Sequence, residues 1–197
     1  MNHLAHLALA NALATDDGLL LGGFLGDFVK GRLKGELPDH IETGIQLHRA
    51  IDAFTDSHVL VKRSQSRFPT EFRRYSGIIT DILFDYLLAN RWHDYYDIPL
   101  EHFSPSVLNR LCEHLDLMPP AAARYAERMR AANALAGYQN SGFIERSLTH
   151  LGTRLTRENP LAQAYPACHH LMPEIEQDFA AFYPQLIEFC GEWWQTR

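Results

Sequence analysis

The sequence predicts an all-α fold, a single-domain helical bundle spanning residues 1–197, and three observations carry that prediction. Apolar residues recur at three- and four-residue spacing through most of the chain, as the turn of an amphipathic helix requires. No pair of segments alternates apolar and polar residues as half-buried strands would, and no repeat emerges at a fixed period. Proline, glycine and small polar residues punctuate the chain at helix-length intervals. With 46% hydrophobic residues over 197 positions, there is enough apolar surface for one sizeable core, so a single domain suffices.

Taken in order, the N-terminus to about Ala14 reads as a short helix, with Leu4 and Leu7 on one side and His3 and His6 three residues apart. Thr15-Asp16-Asp17-Gly18 breaks it. Leu19 to about Lys30 reads as a second helix, whose Gly22, Gly23 and Gly26 weaken it but admit another backbone closely. A Gly- and Lys-rich loop follows from Lys30 to Asp39, and Pro38 introduces a third helix to about Phe54. Beyond Ser57 lies a short basic segment, VLVKRSQSRFPTEFRR, and then a helix from about Glu71 to Trp92 that is apolar on more than one face. Ser104-Pro105 is expected to cap and open a helix to about Leu117, closed by Pro119-Pro120. Ala121–Ala136 reads as one alanine-rich helix stopped by Gly137. Helices are expected again over 142–155, around Leu161 and from Pro173 to Trp194.

A formal charge of −6 gives no bulk reason to expect nucleic-acid binding, which requires a basic face for phosphates. Cys112, Cys168 and Cys190 are far apart and odd in number, which fits a reducing cytoplasm better than a disulfide framework. No apolar run is long enough to span a membrane, and the first residues lack the basic start of a signal peptide.

The chemistry centres on GIQLHRAIDAFTD, residues 44–56, where His48, Asp52 and Asp56 stack one turn apart on a helix flanked by Ile45, Leu47, Ile51 and Phe54. Imidazole and carboxylates beside apolar flanks are costly to bury unless a metal ion or an arginine sits among them. Asp27 follows Gly26 between Leu25 and Phe28, and Asp81 and Asp85 repeat the one-turn spacing inside an apolar helix. Asp27, His48, Asp52, Asp81 and Asp85, drawn from three helices, suit a Mn²⁺ or Mg²⁺ site, and the imidazole also admits Fe²⁺. The repeated Glu-x-x-His of a di-iron bundle is absent, as is a Gly-x-Ser-x-Gly elbow, and Cys168-His169-His170 lacks partners at zinc-finger spacing. Arg49, next to His48, can hold phosphate oxygens in bidentate fashion or orient a nearby acid.

Four segments in this order, MNHLAHLALA, GGFLGDFVKG, GIQLHRAIDAFTDSH and ITDILFDYLLANRW, resemble the successive signatures of the bacterial acyl carrier protein phosphodiesterases. The resemblance is dense in the first half and looser toward the C-terminus, where FYP at residues 182–184 is similar. The chain departs from the family at Ala8 and Gln46, where histidines often stand. The resemblance implies an all-α fold similar to HD-type metal-dependent phosphohydrolases, with the metal-binding elements in rearranged order. It implies hydrolysis of the phosphodiester joining 4′-phosphopantetheine to a serine of acyl carrier protein, dependent on a divalent metal with Mn²⁺ preferred. It further implies that Asp27 is essential and that His6, His48, Asp52 and Asp81 are ligands, with Asp85 and Asp56 as further candidates. Asp27, His48 and Asp52 are thereby expected to be catalytic.

Since acyl carrier proteins are acidic, Lys62, Arg63, Arg67, Arg73 and Arg74, which face only Glu71, are expected to steer that partner to the site. Two other classes share these features: an HD-type phosphohydrolase of a nucleotide or other small phosphodiester, and a non-enzymatic helical adaptor whose acids are ion-paired.

Overall fold

The computed structural model describes residues 1–197 and contains helices only. Helix α1 (His3–Leu13) is buried along Leu4–Ala10, and α2 (Asp17–Leu25) is buried from Gly18 to its end. Two such apolar helices need close neighbours, and α3 (Asp39–Ser57) supplies one. A Cβ on Gly22 would lie 2.1 Å from the Ile41 carbonyl oxygen, and one on Gly44 would lie 2.5 Å from that of Leu19. These two glycines therefore let α2 and α3 pack backbone to backbone.

The remaining elements wrap this pair. Helix α4 (Val59–Arg67) and a 3₁₀ turn (Thr70–Tyr75) lead into α5 (Ser76–Asn90), so the basic segment is helical and the expected 71–92 helix begins only at Ser76. Beyond them come α6 (Leu100–Cys112), α7 (Pro120–Ala131), α8 (Ala134–Gly137), α9 (Ser141–Arg154), α10 (Ala164–Cys168) and α11 (Met172–Gln195). The central aromatic contacts join α5 to α11, with the Phe84 and Phe179 rings edge-on at 5.3 Å.

Three further expectations about elements fail, each for a local reason. Helix α2 stops at Leu25, so Asp27 stands in a turn; the loop beyond it uses Gly31 and Gly35 at φ of 79° and 71°. Helix α6 starts at Leu100 after Pro99, which leaves Pro105 inside the helix. The Ser104 hydroxyl is not a cap: it donates to Asn133 Oδ1 at 2.5 Å and accepts from the Ala136 N–H at 3.1 Å. That tie accompanies the third difference. Asn133 adopts a left-handed φ of 45° and splits the alanine-rich stretch into α7 and α8.

No helix is long and apolar enough to cross a membrane. The three cysteines are free, with Cys168 and Cys190 buried.

Candidate metal centre

The ridge on α3 meets α1, with His6 and His48 buried and the Asp52 side chain 43% exposed. His6, from α1, and His48, from α3, stack face to face with ring centroids 3.8 Å apart and planes inclined at 15°. Both turn Nε2 toward one carboxylate: His6 lies 3.1 Å from Asp52 Oδ1 and His48 lies 3.2 Å from Asp52 Oδ2. The one-turn spacing within α3 produces the second contact directly. The ligand atoms of His6, His48 and Asp52 all lie within 4.8 Å of one another.

The protonation pattern favours a cation among these groups. His48 Nδ1 is 2.8 Å from the Gly23 carbonyl oxygen, which accepts a hydrogen bond and so places the proton on Nδ1. In the neutral ring the Nε2 lone pair then faces Asp52, and Asp27 Oδ1 at 3.8 Å. Neither ring nitrogen of the buried His6 has a hydrogen-bond partner, although Asp52 is so near. A buried imidazole with no well-aligned hydrogen bond, opposite an ionised carboxylate, is a donor set that a metal ion can complete.

The titration behaviour agrees with close coupling. Burial, then the adjacent His48 ring, pull the His6 pKa down to about 4. Burial also works against charge on His48, but Asp52, Asp27 and the Gly23 carbonyl outweigh it and hold its pKa above the ordinary histidine value. Asp52 resists its own burial penalty because His48 and His6 hold its carboxyl well below the usual range.

Asp27 stands at the rim, its side chain 48% exposed, with Oδ2 at 3.5 Å from His3 Nδ1. His3 is not among the residues the sequence points to; its three-residue spacing from His6 on α1 is the signal that links the two. Arg49 donates to the Val29 carbonyl oxygen at 2.9 Å, which ties α3 to the turn that carries Asp27.

The other expected residues have different partners. Asp81 Oδ1 accepts a hydrogen bond from the Met1 amino group at 2.8 Å. Asp85, fully buried, accepts from the backbone N–H groups of Asn2, Leu4 and Ala5 at 3.2, 2.7 and 3.4 Å, and so caps α1. Neither carboxylate belongs to the group gathered around His6. Asp56 is exposed at the end of α3. Of the basic island, Arg63 and Arg67 converge on Asp178 of α11, with Arg63 Nε at 2.7 Å, Arg67 Nε at 3.1 Å and the Ser64 hydroxyl at 2.9 Å. These two of the five expected docking residues therefore also pair with a buried acid, although the Arg63 side chain stays 52% exposed. Lys62, Arg73 and Arg74 are exposed.

Comparison with known proteins places the chain among its relatives. Residues 1–186 match the family model described as acyl carrier protein phosphodiesterase. A protein of that name from Klebsiella pneumoniae (strain 342) is 31% identical over 191 residues, 96% of this chain and 97% of its own length. Another from Yersinia pestis is 34% identical over 188 residues, 95% of this chain and 96% of its own. A third, from Escherichia coli O127:H6, is 29% identical over 189 residues, 95% of this chain and 96% of its own. No solved structure matches significantly. The matched span, residues 1–186, includes α1, the Asp27 turn and α3, and a chain covered along nearly its whole length in this way belongs to the acyl carrier protein phosphodiesterase family.

Proposed function

We propose that this protein is a divalent-metal-dependent phosphodiesterase that hydrolyses the bond between 4′-phosphopantetheine and the serine of holo-acyl carrier protein, releasing the apo form. The observation that carries the reading is the convergence of His6, His48 and Asp52 within 4.8 Å, beside the half-exposed Asp27, in a family named for that activity. Two imidazoles and a carboxylate suit Mn²⁺, with Mg²⁺ or Fe²⁺ able to substitute. The His48–Asp52 pair also supports the likeness to HD-type phosphohydrolases.

A divalent ion held there supplies Lewis acidity toward a phosphoryl oxygen and a water acidified to near neutrality. The chain's own groups supply the rest. The Gly23 carbonyl keeps the proton on His48 Nδ1 and leaves Nε2 available as a ligand. Asp52 offers one oxygen toward each imidazole. Asp27, at the rim, accepts the proton of the attacking water, and His3 holds that carboxylate in place from its other oxygen. Asp81 and Asp85 act from further out, since by tying down the start of α1 they fix the position of His6.

Lys62, Arg73 and Arg74 remain free to steer an acidic carrier protein toward the site. The net charge of −6 supports a protein partner over nucleic acid, and the free cysteines support a reducing compartment such as the cytoplasm. Incubating the purified chain and Mn²⁺ in parallel with holo-acyl carrier protein and with nucleotide phosphodiesters tests the substrate. Cleavage of the carrier protein alone is expected. Cleavage of the nucleotides alone assigns the site to an HD-type phosphohydrolase of small phosphodiesters. No hydrolysis and no bound metal leaves a non-enzymatic helical adaptor.

A further inference from the structure

A cleft of about 680 Å³ opens between α7 and α9 and adjoins the metal centre, because Asp27 and His3 form part of its wall. Its volume lies within the range of small-molecule sites, roughly 300–1,000 Å³. The lining divides by chemistry. Phe28, Met129 and Phe143 give an apolar wall, and Arg124, Arg128 and Arg154 bring three guanidinium groups against the single carboxylate of Asp27. Such an excess of positive charge is unusual in a chain of net charge −6.

These arginines are uncommitted. Arg63, Arg67, Arg91 and Arg110 each form an ion pair, whereas Arg124, Arg128 and Arg154 form none. Arg128 is linked to the His3 side of the cleft through Tyr125. The Tyr125 ring lies 5.2 Å from that of His3, and the Arg128 guanidinium lies 5.6 Å from the centre of Tyr125. A second cavity, of about 480 Å³, is lined by Asp16, Asp17 and His114. It offers nothing comparable, since Asp17 is already paired with Arg110 and His114 and no arginine lines the cavity to meet an anion.

A ligand complementary to the α7–α9 cleft has an anionic head for the arginines and a longer neutral body that packs on the apolar wall. We propose that this cleft receives the 4′-phosphopantetheine arm, its phosphate oxygens bound by Arg124, Arg128 and Arg154 and its pantetheine chain lying on Phe28, Met129 and Phe143. The assignment rests on the phosphodiesterase reading. It separates the arm site from the α4 basic segment, whose Arg63 and Arg67 are held by Asp178.

Isothermal titration calorimetry of the full chain with 4′-phosphopantetheine, and with pantetheine lacking the phosphate, tests the cleft without turnover. The wild type is expected to bind the phosphorylated ligand more tightly. Arg124→Ala and Arg128→Ala each weaken that ligand by about tenfold and leave pantetheine unaffected. Ser147→Trp, which fills the cleft from α9, weakens both ligands and raises KM for holo-acyl carrier protein. Circular dichroism melts check that Ser147→Trp folds, and the exposed Arg128 provides a variant that does not depend on refilling packed space. If the wild type cleaves holo-acyl carrier protein but Arg128→Ala and a folded Ser147→Trp bind both ligands as it does, the cleft assignment is overturned and the activity stands. A wild type that binds the free arm in this cleft yet cleaves no carrier protein overturns the activity and keeps the assignment.

Discussion

Replacing Gly26 by alanine ought to damage the proposed metal centre from a position that contributes no ligand. Gly26 has ordinary right-handed helical backbone angles, φ −53° and ψ −33°, so alanine introduces no backbone strain. The obstacle is space. An added Cβ would lie 2.2 Å from His48 Cγ, 2.4 Å from Cδ2 and 2.6 Å from Cβ, all at the near end of the side chain where rotation gives little relief. Reaching ordinary contact at 3.4 Å requires α3 or the ring to retreat by about 1.2 Å. That retreat breaks the 2.8 Å hydrogen bond from His48 Nδ1 to the Gly23 carbonyl, which fixes the ring's orientation. Overpacking of this kind costs about 1–3 kcal/mol of stability, and loss of a ligand's orienting partner weakens metal affinity by roughly 10–100-fold. Free Mn²⁺ measured by electron paramagnetic resonance gives the affinity, and urea melts give the stability. Gly191→Ala is the control, because nothing lies within 4 Å of its added Cβ in the interior of α11. It should gain up to about 1 kcal/mol. A Gly26→Ala protein with wild-type Mn²⁺ affinity would refute the geometric reasoning.

Asp178→Ala should destabilise the fold by about 1–3 kcal/mol in urea melts, since it leaves the buried Ser64 hydroxyl and the part-exposed Arg63 and Arg67 without their shared acceptor. Arg63→Ala should cost less, because its side chain is 52% exposed and Arg67 still pairs with the acid; equal losses would contradict the assigned geometry. Burial pushes Asp85 up to about 7, so between roughly pH 4 and pH 7 the folded chain holds a proton that the unfolded chain releases, and stability falls as pH rises. Asp85→Asn should remove that slope. His6, drawn down to about 4, tilts stability the opposite way as pH rises toward the ordinary histidine value of 6.5, and it is unchanged in the variant, so the difference between the two sets of melts isolates Asp85. Arg73→Ala/Arg74→Ala should slow cleavage of holo-acyl carrier protein at low salt and flatten its salt dependence; an unchanged rate at low salt would remove these residues from carrier-protein docking.

The sequence was most informative where one helix carried the whole signal. His48 and Asp52 are a turn apart on α3, so their meeting needed no knowledge of topology, and the helical periods gave the fold class by the same local logic. It was least informative where a polar group's partner lies far along the chain. Asp85 inside an apolar helix announces a need for compensation, but a metal ion and the exposed N–H groups of a helix start meet that need equally well in sequence terms. The N–H groups that Asp85 accepts from lie 80 or more positions away. Arg63 and Arg67 looked free because Asp178 is more than a hundred residues distant. Ser104-Pro105 misled because its pattern fits a helix start, whereas the hydroxyl is engaged by Asn133 from another element. The α7–α9 cleft left no compact motif, since its arginines are scattered over Arg124, Arg128 and Arg154 and come together only through packing.

The measurement closest to the central claim is the intact mass of acyl carrier protein after incubation of its holo form with the wild-type chain and Mn²⁺. Parallel samples contain a chelator, or the Asp27→Asn or His48→Ala variant. The predicted result is loss of the 4′-phosphopantetheine mass with wild type and Mn²⁺, and an intact holo form in the other three samples. A carrier protein that keeps its arm with the wild type, or loses it equally with Asp27→Asn, would contradict the account.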